Sequence, residues 1–390
     1  MASGQDFDPL EPRRNYSQAQ KFAAPLSKYP HRAEGYQPLP QPLGAPPYHF
    51  DLETVLPGIT RRAADDGKIV FHTVGDTGGI VDPAFQKIVA AALVRDLGTA
   101  DIEANRPKFW YHLGDIVYYH GQVEAYYKQF YEPYRAYSAP ILSIPGNHDG
   151  DPETRSHTPL DGWVRHFMTP VPQVDPISRD APRRTITLPN VYWTLNAPFC
   201  TIVGVYTNAP DGGVVDSEQQ KWLNQELAGA PSNKALIVAL HNPIYSFDSV
   251  HSGSARMANV LAQAINESRR VPNLVLTGHV HNYQRIEQRI VSTVPTPFLV
   301  AGGGGYFDLF ELYVSTRPSV ARTKALDTGA TLVAGVDNEY SYVTLTIDST
   351  TIHGAVTAVA RNGKIVASPV DRFRYTAEAL WLADGQIVRL

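Results

Sequence analysis

The sequence predicts an α/β fold, a buried and largely parallel sheet with helices outside. From Lys68 onward, short apolar runs alternate with stretches of helical spacing in a βαβαβ order, which is the pattern of strands covered on both faces. Polar Gly-Asp, Asn-His and His-x-His clusters stand directly after the apolar runs, where an open α/β sheet carries its ligands. The 43% hydrophobic content is enough for a sizeable core in a 390-residue chain, as one large domain or two ordinary ones.

The elements follow in order. Residues 1–64 hold about a third of the 31 prolines, including Pro38, Pro40, Pro42, Pro46 and Pro47, and show little periodicity. They read as an extended N-terminal arm with aromatic anchors such as Tyr29, Tyr36, Tyr48 and Phe50, followed by a catalytic domain over 65–390. Strands are expected at 68–74, 108–113 and 139–144, with helices at 82–97 and 122–131. An irregular insertion rich in Pro, Arg and His spans 151–190. An antiparallel pair follows at 191–196 and 199–206, then a helix at 217–227 with Asp216 as N-cap. A strand at 234–240, a helix at 255–268 and strands at 273–277, 285–292 and 297–301 lead to the four glycines Gly302 to Gly305. A hairpin at 340–347 and 351–359 comes after a loop rich in Tyr, Phe and Arg.

Composition narrows the function classes. A formal net charge of −4 without a long basic run argues against nucleic-acid or anionic-membrane binding through bulk charge. The single cysteine, Cys200, lies in an apolar run, so an intramolecular disulfide and a cysteine-built zinc site are both excluded. No basic and apolar leader opens the chain, which reads as cytoplasmic by default, or as secreted or periplasmic if a leader was removed.

Five motifs carry the chemistry: Gly75-Asp76-Thr77-Gly78, Gly114-Asp115-Ile116-Val117-Tyr118, Gly146-Asn147-His148-Asp149, His241-Asn242-Pro243 and Gly278-His279-Val280-His281. A lone Gly-Asp is worth little, but five in order at strand ends form a set. They place hard oxygen and imidazole donors together, enough for two metal ions sharing one carboxylate. Such a pair implies hydrolysis of a phosphate ester, because two ions clamp phosphate oxygens and lower the pKa of bound water to about 7.

These residues resemble the calcineurin-like metallophosphoesterase superfamily, and within it the purple acid phosphatases. Asp76-Thr77-Gly78 in place of Asp-x-His, and a tyrosine three residues after Asp115, are similar to that branch. The resemblance covers roughly 68–305 and implies a four-layer α/β/β/α sandwich of two mixed sheets. It implies that Asp76, Tyr118 and His281 hold one ion, that Asp115 bridges, and that Asn147, His241 and His279 complete the second. A phenolate donor suits iron(III), and imidazole with an amide oxygen suits a divalent iron, zinc or manganese ion. His148 and His251 are the candidates for contacting substrate and moving a proton.

Phosphate monoesters of small molecules are the expected substrates. A phosphodiesterase on the same scaffold is the first rival. A non-catalytic binding protein that keeps the fold and uses its arm for partners is the second. Among other polar residues, His72 and His112 read as satisfied core or outer-sphere histidines, and Asp82 as a helix cap. Asp149 reads as a loop brace, and His120 as a partner of the metal loop. His157, His166, Arg179, Arg183 and Arg184 read as a solvated loop. Gly302 to Gly305 could make a phosphate nest or a sharp turn, and Tyr306 and Phe307 could wall the pocket or simply pack.

Overall fold

The computed structural model describes residues 35–100, 102–152, 157–312, 329–366 and 369–390. In chain order the strands are β1 (His49–Asp51), β2 (Ile69–Val74), β3 (Trp110–His112), β4 (Ile141–Ser143), β5 (Trp193–Ala197), β6 (Cys200–Val205), β7 (Ala235–Leu240), β8 (Arg270–Val271), β9 (Leu274–Thr277), β10 (Tyr283–Gln288), β11 (Thr296–Ala301), β12 (Thr331–Val336), β13 (Tyr340–Ile347), β14 (Thr351–Val359), β15 (Asp371–Thr376) and β16 (Leu380–Trp381). They form an eight-stranded sheet in the order β1-β5-β6-β7-β9-β11-β10-β12 and a six-stranded sheet in the order β15-β14-β13-β2-β3-β4. β16 and β8 make a separate pair.

The two large sheets face each other. Trp193 of β5 lies 5.7 Å from Tyr111 of β3, ring to ring, and its Nε1 donates across the interface to the Ser143 carbonyl of β4 at 3.1 Å. Helix Pro83–Thr99 covers β13 and β14, while helices Ser217–Gly229 and Ala255–Ser268 pack on one another, the former against β6. Every residue of β2, β6, β7 and β9 is buried, as strands covered on both faces must be. The helices start where their caps dictate. Asp82 accepts from Ala84 N with Pro83 in the first turn, Asp216 from Gln219 N, and Ser254 from Met257 N.

The expected parallel run is real but partial. β2, β3 and β4 are parallel, yet β2 is flanked on its other side by antiparallel β13 and its partners, so the sheet is mixed. Regular structure also begins earlier than the proline content suggested. β1 pairs in parallel with β5, and residues Ile59–Asp66 are helical, so the catalytic sheet already includes residues before 65. Tyr29 lies outside the described residues; Tyr36 bonds Asp216 and Phe50 packs on Trp193.

The helix expected over 122–131 is instead a 3₁₀ turn, Val123–Ala125, followed by a π-helical turn, Tyr127–Tyr131. The wide turn has a local use, because Gln129 reaches back to the metal loop (below). The insertion is also less solvated than expected. Helix Asp161–Phe167 buries His166 against Tyr126 and Tyr131, and Arg183 donates to the carbonyls of Tyr134, Tyr137 and Ala139. Strands β1, β8, β12, β15 and β16 carried no sequence signal that singled them out.

Candidate metal centre

Five loops converge at the carboxyl ends of β2, β3, β4, β7 and β9, two sheets contributing to one edge. Asp76 follows β2, Asp115 and Tyr118 follow β3, Asn147 follows β4, His241 follows β7, and His279 and His281 follow β9. Asp76, Asp115 and His279 all sit at left-handed φ, of 58°, 54° and 68°. That conformation costs about 1–3 kcal/mol each for non-glycine residues and persists only where the surroundings impose it. Neighbouring glycines make room: a Cβ at Gly146 would run into the Asp115 carboxylate, and one at Gly278 into that of Asp76.

All seven residues are brought together. Nε2 of His241 is 3.3 Å from Asp115 Oδ2 and 3.1 Å from Asn147 Oδ1. Nδ1 of His279 is 2.9 Å from the same amide oxygen. Asp115, His241 and His279 can offer ligand atoms all within 4.8 Å of one another. On the other side the Tyr118 hydroxyl is 3.3 Å from Asp76 Oδ1 and 3.4 Å from His281 Nε2, which is itself 3.7 Å from Asp76 Oδ1.

The donor chemistry fits cations. His241 Nδ1 donates to the Leu113 carbonyl at 2.8 Å, and His281 Nδ1 to that of Asp308 at 3.0 Å. Each Nε2 then faces oxygens and calls for positive charge between them: burial opposes it, but the Asp115 carboxylate pushes the His241 ring up to about 9, and a bound cation would take the place of that proton. Burial works against both anions. It pushes the Asp76 carboxyl well above the usual carboxylate range, with His241 opposing and the Asp115 charge adding to the push. Burial acts the same way on Asp115, but the imidazoles of His241, His148 and His279 override it and hold that carboxyl far down. Burial, then the charges of Asp115 and Asp76, push the Tyr118 phenol well up, so a phenolate here needs a cation to stabilise it. The His281 ring, lowered to about 3 by burial and by His251, stays an unprotonated donor.

Outer residues hold these donors in place. Asp149 accepts from the backbone N–H groups of Ile116, Val117 and Gly146, tying the β3 and β4 loops together. His112 donates from Nε2 to Thr77 Oγ1 at 2.8 Å, and Nδ1 of His72 meets the Tyr137 hydroxyl at 3.0 Å, both buried inside the sheet. His120 pairs with Asp151 at 3.4 Å. Gln129 is the residue that sequence reading passed over. Its amide accepts from Tyr118 N and donates to Tyr118 O, each at 2.9 Å, fixing the tyrosine backbone at both ends. Only a hydrophilic residue inside an apolar-spaced segment could have flagged it. Gly302 lies too close to Val280 O and the Asp76 carboxylate for a side chain, and Gly303, Gly304 and Gly305 too close to Ser341, Gly75 and Gln86, so the glycine run packs tightly beside the centre.

His148 and His251 flank the centre. His148 N donates to Asp115 Oδ1 at 2.9 Å, its Nδ1 donates to the Tyr119 carbonyl at 2.9 Å, and its ring lies 4.5 Å from that of Tyr118. His251 packs its ring 4.9 Å from His279 and 5.1 Å from Phe310, on a loop whose turn is closed by Asp248 Oδ1 accepting from Val250 N and His251 N.

The two-sheet sandwich gathers at its strand tips a donor set that could hold a metal ion. The model of the calcineurin-like phosphoesterases matches residues 69–283, more than half of the chain, and the chain belongs to that family. It is a metallophosphoesterase with a purple acid phosphatase-like fold. A purple acid phosphatase from yellow lupin seeds is 18% identical with a TM-score of 0.54, over 79% of this chain and 53% of the lupin chain. This chain therefore spans about half the length of that protein. GAP50, the anchor in the inner membrane complex of Plasmodium, is 13% identical with a TM-score of 0.56, over 80% of this chain and 89% of its own. PhoD is 11% identical with a TM-score of 0.50, over 90% of this chain and 74% of its own. At these identities the likeness is one of fold. A search of the curated proteins returns no match. No helix of the described residues is long and apolar enough to cross a membrane.

Proposed function

We propose that this protein hydrolyses phosphate monoesters at a two-metal centre of purple acid phosphatase type. The observation that supports it most is the convergence of Asp76, Tyr118 and His281 on one side of Asp115, and of Asn147, His241 and His279 on the other. In this reading the first group holds iron(III), the second holds a divalent iron, zinc or manganese ion, and Asp115 is shared. A bound pair of ions would supply a clamp on the phosphate and a lowered pKa for the attacking water.

The protein groups do the rest. The committed Nδ1 nitrogens of His241 and His281 keep each ring turned with Nε2 inward. His148, anchored through Nδ1 to Tyr119, presents its other nitrogen to the phosphate when protonated. His251, whose ring lies beside that of His279, is proposed to protonate the leaving alkoxide.

Elemental analysis and an absorption spectrum of unchelated protein test the metal assignment. Two ions per chain, one of them iron, with a visible band are expected; iron-bound protein without colour would remove the tyrosine from the ligand set. Initial rates on an aryl phosphate and on a bis-aryl phosphate test the substrate class, and a strong diester preference would overturn the monoester reading.

A further inference from the structure

We infer that Asp248 is a positioning residue: with Asn282 it ties the His251 loop to the His279–His281 motif and fixes where the His251 ring stands. This deepens the proposed reaction and rests on its reading of His251 as the proton donor.

His251 is half-buried, on a loop that leaves β7 and leads to helix Ala255–Ser268. A loop of this kind owes its place to side chains that anchor it. Asp248 supplies the anchor from a site only 2% exposed. Its Oδ1 accepts from Val250 N at 2.7 Å and from His251 N at 2.6 Å, which sets the backbone that carries the ring. Its Oδ2 accepts from Asn282 Nδ2 at 3.3 Å. Asn282 is fully buried and stands directly after His281. The same amide nitrogen donates to the Phe310 carbonyl at 2.9 Å, and the Phe310 ring lies 5.1 Å from His251 and 4.5 Å from His281. Gln284 completes the brace. Its Nε2 donates to Asn282 Oδ1 at 3.0 Å, and its Oε1 accepts from Phe247 N at 2.7 Å.

A turn alone needs one acceptor oxygen, which Asn or Ser would supply without burying a charge. The second carboxylate oxygen is what joins the loop to the donor motif. Buried, hydrogen-bonded networks rigidify the backbone they connect. Proton transfer needs that rigidity, since a reacting group displaced by about 1 Å loses on the order of 10²-fold in rate.

The test compares two esters. The alkoxide of benzyl phosphate needs a proton as the P–O bond breaks; the phenolate of para-nitrophenyl phosphate is a weak base and needs none. His251→Ala should lower the benzyl to nitrophenyl ratio of kcat about 10²-fold, the low end for a general acid. Asp248→Ala should lower it roughly tenfold, with KM and metal content near those of wild type, because the acid is present but misplaced. Asp248→Asn keeps the Oδ1 acceptor and turns an N–H group towards Asn282, so its ratio should fall only about threefold. A ratio lowered by His251→Ala but unmoved in both Asp248 variants overturns the positioning role. So does an equal loss on both esters, which marks packing alone. Asp248→Asn decides by itself if Asp248→Ala does not fold. If His251→Ala leaves the ratio unmoved, or metal-loaded wild type hydrolyses neither ester, the reading of His251 fails instead. Hydrogen exchange over residues 247–252 needs no substrate. It should quicken roughly tenfold in Asp248→Ala, or in Asp248→Asn to a smaller extent, and unchanged exchange would remove the tether whatever the kinetics.

Discussion

The two halves of the centre are built differently. Asp76, Tyr118 and His281 are sealed, at 0%, 1% and 6% exposure, and each is braced from outside by Gln129, the Asp308 carbonyl or the His279 backbone N–H. In the other half His241 is buried, but Asn147 and His279 are half-buried. The first half offers a carboxylate, a phenol and an imidazole, the second an amide and two imidazoles, and Asp115 is proposed to be shared. A closed, anionic set retains a highly charged ion; a neutral and more open one exchanges its ion more readily. The difference is one of burial and charge.

Removing Asp115, the group proposed to be shared, should do most damage. Asp115→Asn keeps the shape but not the charge, and phosphomonoester turnover should fall at least about 10³-fold, the scale of several kcal/mol of lost Lewis-acid stabilisation. Elemental analysis should show both ions depleted; one ion at full occupancy would mean that the halves are independent. Next come Asn147→Ala and His279→Ala. These should deplete the divalent ion first, by more than the roughly 10–100-fold in affinity typical of outer-sphere changes. Loss of iron ahead of the divalent ion would reverse the assignment.

Tyr118→Phe sharpens the contrast from the other side. The visible band should disappear, because only a phenolate gives charge transfer to iron, while the divalent ion stays. An unchanged spectrum would place the chromophore elsewhere. The smallest effect belongs to Gln129→Leu, which removes both hydrogen bonds to the Tyr118 backbone. Activity should fall roughly tenfold, with a shifted absorption maximum. A loss of stability with an unmoved band would give Gln129 a packing role only.

Much of this arrangement is legible along the chain. Helices 217–227 and 255–268 announce themselves by caps and spacing, and the buried strands by unbroken apolar runs such as Ile69–Val74 and Ala235–Leu240. The donors are legible because each stands at a fixed offset from such a run. Other features leave no local mark. β1 is three residues in a proline-rich stretch, and it is a strand because β5 offers it a partner edge. His166 and Arg183 look like loop residues, yet aromatic rings and backbone carbonyls enclose them. The π turn carries Gln129 to the Tyr118 backbone, a contact that helix spacing does not reveal.

By itself the sequence determined which residues can bind a metal and on which strand tips they sit, because strand period, turn glycines and ligand type are local properties. Only the tertiary structure decided that two sheets bring those tips to one edge, that one half is sealed and the other half-buried, and that Tyr306 lies on Tyr118. Burial and cross-sheet distance depend on groups far apart in the chain, and no local pattern encodes them.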